Sequence, residues 1–367
     1  MKIFLCVALL ALLYKPMVSQ EFSFGDQDLW EVNGTSHVFE RFEGKESLSP
    51  FQSQVRLKNF EFFTGILEYD IYITPDRGFP GINFRIQGDG NYEEFYVRPH
   101  QSGNPDANQY TPVFNGLASW QLYYGEGFAQ AVKYQMNSWN HIKLVVAEST
   151  AEVYVNDMNT PLYYIPELKR VPKAGSLGFN GGGPAAFRIA DLKVTKQSNP
   201  ELKSQPYTVK PLEKEVIPFW LVSSLFSEIT LQKPVDLSSD MKKGLEWKKV
   251  NSENIGYVNL ARVAIGNGQN NTVFAKVTIV SDKDQIKKLS YGFSDRVKVY
   301  LNDQLLVGGH DEFTSRDYRF LGTMGYFDDV YLRLKKGDNE LWMAVSENFG
   351  GWGVMGKFDN LDGIRIK

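Results

Sequence analysis

Residues 81–125 read GINFRIQGDGNYEEFYVRPHQSGNPDANQYTPVFNGLASWQLYYG. Ile82, Phe84 and Ile86 alternate with Asn83, Arg85 and Gln87, and Phe95 and Val97 alternate with Glu94, Tyr96, Arg98 and His100. Side chains on a strand point alternately to opposite faces, so each segment is expected to bury one row and to offer Asn, Arg, Gln, Tyr and His on the other. A loop rich in Asn, Gln, Pro, Asp and Tyr, longer than an ordinary hairpin connection, is expected to lead to a further strand over Trp120 to Tyr124. Guanidinium forks, amides and flat rings on one sheet face, rimmed by a long loop, suit a sugar or another polyhydroxylated ligand. The pattern therefore nominates Arg85, Tyr96, Arg98, His100, Gln121, Trp120 and Tyr123. Alternation puts Trp120 and Tyr124 on one face and Tyr123 with Gln121 on the other, so only part of this set can face a ligand.

The same period of two continues on both sides. Leu67, Tyr69, Ile71 and Ile73 alternate with Glu68, Asp70 and Tyr72, and two short strands over Ile142 to Val146 and Ala151 to Val155 are joined by Glu148-Ser149-Thr150. Ser176 to Asn180 and Ala186 to Thr195 close this region, with Gly181-Gly182-Gly183-Pro184 turning between them. No long amphipathic helix is present in the pattern, and many short strands at regular spacing predict an all-β, two-sheet sandwich over 21–196. Residues 197–218, with four prolines and no periodicity, read as a linker draped over the surface. A second all-β region, 219–367, has strands over Thr272 to Val280, Lys287 to Gly292, Arg296 to Leu301, Asp329 to Leu334 and Glu340 to Ser346. A short echo, Val153-Tyr154-Val155-Asn156-Asp157 and Val299-Tyr300-Leu301-Asn302-Asp303, reads as a strand running into an Asn-Asp turn used twice.

The first twenty residues read as a secretory signal: Lys2, an apolar run from Ile3 to Leu13 too short to span a bilayer, then polar residues with Ser19 near the cut. A secreted or periplasmic protein with no transmembrane segment after signal removal is expected. The one cysteine, Cys6, lies inside that signal, so the mature protein is expected to lack disulfide and thiol chemistry. With 367 residues and 43% apolar content, the chain is long enough for two cores. A formal net charge of −3 argues against nucleic acid as a partner.

Two family resemblances are carried by these segments. Gly65-Ile66-Leu67-Glu68-Tyr69-Asp70-Ile71, Gly81-Ile82-Asn83-Phe84-Arg85, Trp139-Asn140-His141-Ile142-Lys143, Val153-Tyr154-Val155-Asn156 and Gly175-Ser176-Leu177-Gly178-Phe179 resemble the concanavalin A-like lectin/glucanase superfamily, which includes laminin-G-like domains and laminarinase-type glycosidases. Tyr96 to Gly103, with Tyr110-Thr111-Pro112 and Trp120-Gln121-Leu122, looks like a subgroup common among secreted bacterial proteins. Ser294 to Asp303 and Leu334 to Leu341 resemble the galactose-binding-like β-sandwich found beside many glycosidases, in which loops alone bind ligand. The loop Glu347 to Gly353, with Trp352 raised by neighbouring glycines, is the candidate there. Because the motifs are mostly structural, they speak to fold more than to function.

Laminarinase-type enzymes carry Glu-x-Asp-x-Glu on one strand face. Glu68 and Asp70 match its first two acids, but Tyr72 stands at the third, and retaining hydrolysis needs two carboxyls about 5–5.5 Å apart. The catalytic candidates are therefore Glu68 and Asp70, with Glu94 and Asp106 as acids that a loop could bring together. No His or Cys cluster with zinc spacing and no Gly-x-Ser-x-Gly elbow occurs. No cofactor is expected; calcium supports both resembled folds, but the scattered Asp residues lack ligand spacing. Three readings stand: an exported protein binding an oligo- or polysaccharide, a glycan-cleaving enzyme with a non-standard acid, and a non-catalytic adhesion or scaffold protein.

Overall fold

A computed structural model describes residues 18–88, 90–183, 185–207, 209–232 and 236–367. The expected signal and Cys6 lie outside these apart from 18–20, as does Pro184 of the glycine-rich turn. The fold is all-β, and the longest helical pieces among the described residues have four residues, Glu228–Leu231 and Ser239–Lys242. No helix among the described residues is long and apolar enough to cross a membrane.

The first half is two stacked antiparallel sheets. One runs Tyr163–Ile165, Ala151–Val155, Ser138–Val146, Gly65–Ile73, Arg188–Lys196, Lys45–Ser49, Val38–Phe42, with Val18–Phe22 added beside Arg188–Lys196. The sheet thus begins at Val18, three residues before the expected boundary at Glu21. The other runs Leu117–Ala118, Asn108–Phe114, Tyr92–Val97, Gly81–Ile86, Ser176–Asn180, Gln54–Leu57, Trp30–Asn33. Leu67, Tyr69, Ile71 and Ile73 of the first sheet and Ile82, Phe84, Phe95 and Val97 of the second belong to one buried cluster. Each such side chain removed from water contributes roughly 1.5–3 kcal/mol. This is the alternation read from the sequence.

The second half repeats the arrangement with a larger sheet around Thr272–Ser281 and Gly337–Ser346 and a smaller one of Val258–Asn259, Gly353–Phe358, Gln285–Ser294 and Asp328–Leu334. Residues 197–218 run between the halves. Their C-terminal end is already core: Ile217 is fully buried and its N–H donates to Gly356 O.

Two expectations in the opening stretch are corrected. Asn108–Phe114, expected as loop, is a strand paired with Tyr92–Val97. Its polar composition and Pro112 hid it; its other neighbour reaches only Val113 and Phe114, so much of the strand is a sheet edge, where proline is tolerated. Trp120 to Tyr124, expected as a strand, is instead a turn that leaves the first sandwich and docks on the second. Gln121 N–H donates to Gly350 O and Met324 N–H to Gln121 O, replacing the ladder bonds a strand would have made. The main cluster of the first half accordingly takes in Tyr257, Met324 and Met355 from the second.

Candidate functional site

A cavity of about 320 Å³ lies where the two halves meet. One wall is the polar row of the strand Tyr92–Val97, with Glu94 and Tyr96, continued by Arg98 and His100 beyond its end. Pro99, in the first position of the short 3₁₀ turn Pro99–Gln101, bends the chain there, so His100 and Gln101 join the lining instead of continuing the strand. The opposite wall is aromatic. Trp120 meets Phe349 edge-on at 5.9 Å between ring centroids and Phe313 at 6.3 Å, and the two phenylalanines meet at 6.1 Å. Phe349 is 55% exposed and Phe313 36%, so this wall carries open apolar ring surface.

The walls are tied by one hydrogen-bond chain. The Arg98 guanidinium donates to the Tyr96 hydroxyl at 2.6 Å, to Gln109 Oε1, and to the backbone carbonyl of Asp106 at 3.0 Å. The Tyr96 hydroxyl donates to Gln109 Oε1 at 2.8 Å, and Gln109 Nε2 donates to the carbonyl of Trp120 at 2.9 Å. The sheet face therefore positions the loop that carries the aromatic wall.

Burial sets the charge state of the lining. It pushes the Glu94 carboxyl up to about 7, against the opposing influence of an Asn180 amide donating at 2.5 Å and of the Arg98 charge. Burial also lowers the His100 pKa, and the charges of Arg77 and Arg98 lower it further. His100 Nδ1 is buried without a hydrogen-bond partner among the described residues.

Of the binding residues named from the sequence, Tyr96, Arg98, His100 and Trp120 line this cavity; Arg85, Gln121, Tyr123 and Trp352 do not. Arg85 sits at a bulge. Ser176 pairs with Ile86 and Gly178 with Asn83, leaving two residues opposite one, and Arg85 takes a positive φ of 53°. That breaks the alternation and sends the guanidinium to the carbonyls of Phe63 at 2.8 Å and Ala147 at 2.7 Å. Gln121, fully buried, donates to Leu321 O at 2.9 Å and accepts from Ser294 Oγ at 3.0 Å, so it positions the second-half loops rather than meeting ligand. Tyr123 is fully buried with its hydroxyl on Glu253 Oε1 at 2.5 Å. Trp352 is fully buried with Nε1 donating to Val345 O at 3.2 Å. Its loop does reach the cavity, but through a different ring: Gly350 (φ 101°) and Gly351 (φ 152°) turn the chain so that Phe349 faces the cavity and Trp352 the core. A Cβ at Gly350 would come within 2.6 Å of Trp120, so the close approach requires glycine. Arg77, Phe79, Phe313 and Leu321 also line the site and carried no periodic signal, being loop residues.

The acids separate into two places. Glu94 and Asp106 share the cavity. Glu68 and Asp70 lie on the other sheet, with their strand Gly65–Ile73 paired to Ser138–Val146, and flank a shallow basin of about 710 Å³. There His141 Nδ1 bonds Asp70 at 2.5 Å and Nε2 lies 3.6 Å from Glu68, while Lys45 bridges Asp70 and Asp191. The hydrogen bonds to Asp70 and then Glu68 raise the His141 pKa to about 9. Tyr72, at the position of the third acid, packs edge-on to Phe42 and Trp139. This is an ion-pair network on an open face.

No protein-family model matches this chain, and no curated protein does. Among solved structures, it is similar to a carbohydrate-binding module, CBM66, from Bacillus subtilis (16% identity, 47% of this chain and 96% of that one, TM-score 0.33). It is similar also to domain 4 of an extracellular arabinanase from Geobacillus stearothermophilus, solved with arabinotriose (12%, 49% and 92%, 0.32). A laminarinase from Flavobacterium gives 12% identity over 49% of this chain and all of that one, with a TM-score of 0.35. At such identities and scores these likenesses carry no functional weight.

Proposed function

We propose that this chain is an exported glycan-binding protein whose site is the cavity between its two halves. The observation that carries the reading is the pairing of a polar sheet row, Glu94, Tyr96 and Arg98, with an aromatic wall of Trp120, Phe313 and Phe349 across a space of about 320 Å³. A sugar ring has an apolar C–H face and a hydroxylated edge, and this geometry offers a partner to each. The volume falls within the range of small-ligand sites, about 300–1,000 Å³. Because the walls come from both halves, both are needed for binding.

A glycan array followed by calorimetric titration of the best hit tests this. Phe349→Ala removes exposed ring surface and is expected to weaken binding roughly tenfold or more, with the melting temperature unchanged. Unaltered affinity in that variant would place the ligand elsewhere.

A second reading, glycan cleavage, is favoured by one feature. Glu94, with its pKa near 7, is poised as a proton donor, and Asp106 shares its cavity. New reducing ends released by the native chain and abolished in Glu94→Gln support cleavage. Binding without release supports the binding protein, and neither result supports a scaffold.

A further inference from the structure

Among the described residues, the arginines that line the cavity make no ion pair. Arg98 is 7% exposed, yet no carboxylate lies within ion-pairing distance among the described residues; all three of its acceptors are neutral oxygens. A buried guanidinium is costly unless paired, so native chains usually give it an acid. Two acids line the same cavity and neither serves. Glu94 spends its carboxylate on Asn180, and Asp106 offers Arg98 only its backbone carbonyl. Arg77, exposed at the rim over the ring of Phe79, makes no hydrogen bond or ion pair among the described residues. His100 Nδ1 adds a buried nitrogen without a partner.

Building on the glycan-binding reading, we infer that the ligand is an anionic glycan, whose carboxylate or sulfate group sits between Arg98 and Arg77 while its ring lies against Trp120. A planar guanidinium matches a carboxylate or a sulfate through paired N–H donors, and both chemistries are carried by natural acidic polysaccharides. The ligand then supplies the counter-charge that the fold leaves out. The raised pKa of Glu94, about 7, works in the same direction below that pH, where the carboxyl is mostly neutral, does not repel an anion and can donate a hydrogen bond to it.

The test uses the full chain and two matched pairs of probes: oligogalacturonate against its carboxyl-reduced form, and a sulfated galactan oligosaccharide against its desulfated form. The expected result is that one charged member binds at least about tenfold more tightly than its neutral partner, and the series that does so identifies carboxylate or sulfate. Arg77→Gln, at an exposed position where the guanidinium lies over the ring of Phe79, is expected to weaken the charged probe roughly tenfold and the neutral one by clearly less. Arg98→Lys keeps the charge and loses the fork, and serves as a second variant once its melting curve shows it folded. Neutral probes bound as tightly as charged ones overturn the inference and leave the glycan site standing. A charge preference unaffected by both variants overturns the assignment to these arginines. No binding in either series overturns the inference, and failure on a neutral glycan array as well overturns the site.

Discussion

Glu94 is a carboxyl that the fold holds at a cost. Its pKa is about 7 in the folded chain, from an ordinary 4.5, with burial as the largest cause. A group raised in this way contributes fully to stability below pH 4.5, and that contribution is lost as pH rises through about 7. The difference corresponds to ~3 kcal/mol at about 1.4 kcal/mol per pH unit. Glu94→Gln keeps the shape and the acceptor for Asn180, so it is expected to stabilise the chain by about 1–3 kcal/mol at pH 8 and by little at pH 4. Urea titrations at the two pH values check this, and a less stable variant at pH 8 contradicts it. His141 has the same sign in a higher window. Its pKa of about 9 means that its ion pairs with Asp70 and Glu68 contribute fully below about pH 6.5 and fade as pH rises through 9. The pair is partly exposed, so the effect is small. Melting temperatures of the native chain and His141→Gln are expected to differ at pH 6 and to converge near pH 10.

At the scale of elements, the short echo between the halves proves to be a shared device. Asn156 and Asn302 both take positive φ, 61° and 49°, where a strand turns. Each side-chain oxygen accepts the N–H of a residue on the neighbouring strand, His141 or Glu340, at 2.9 Å. Each side-chain amide donates at 2.9 Å to a fully buried asparagine just before that residue, Asn140 or Asn339. Those two asparagines in turn hold the preceding turn by the carbonyls of Gln135 and Ser138, or of Lys335 and Gly337. The five-residue echo showed half of this bracket; the partner strands, remote in sequence, supply the rest. Asn140→Ala and Asn339→Ala each strand several buried backbone groups and are expected to cost ~2–4 kcal/mol in chemical denaturation. Asn156→Gly, which keeps the backbone conformation, is expected to cost less than Asn140→Ala.

The whole molecule is joined by more than its connecting segment. Tyr124 donates to Met324 O at 2.5 Å, Asn259 to Ser119 Oγ at 2.8 Å, Asn115 to Ala261 O at 2.8 Å, and Lys169 pairs with Glu253 at 2.9 Å. Trypsin is expected to cut first at Lys203 or Lys214, which are exposed in the segment between the halves and not followed by proline. Because polar contacts and a shared apolar cluster cross the junction, the nicked halves are expected to co-elute in gel filtration and to keep any glycan binding. Separation of the two fragments under native conditions contradicts the shared interface.

What the sequence determined by itself is the part of the protein governed by local pattern. Period-two alternation in Leu67–Ile73 and Phe95–Val97 determines both the all-β class and the buried rows, because a strand has only two faces and one must leave water. The same rule placed Tyr96 and Arg98 on the opposite row, which the structure turns toward the cavity. Only the tertiary structure decided the rest. A bulge reversed Arg85, since one extra residue on a strand flips every side chain that counting had placed. Two glycines exchanged Trp352 for Phe349. The cavity itself draws on residues more than 200 positions apart, and its aromatic wall exists only because Trp120 leaves one sandwich to meet loops of the other. Alternation records which face a side chain takes on its own strand, and carries no information about which loop will lie opposite.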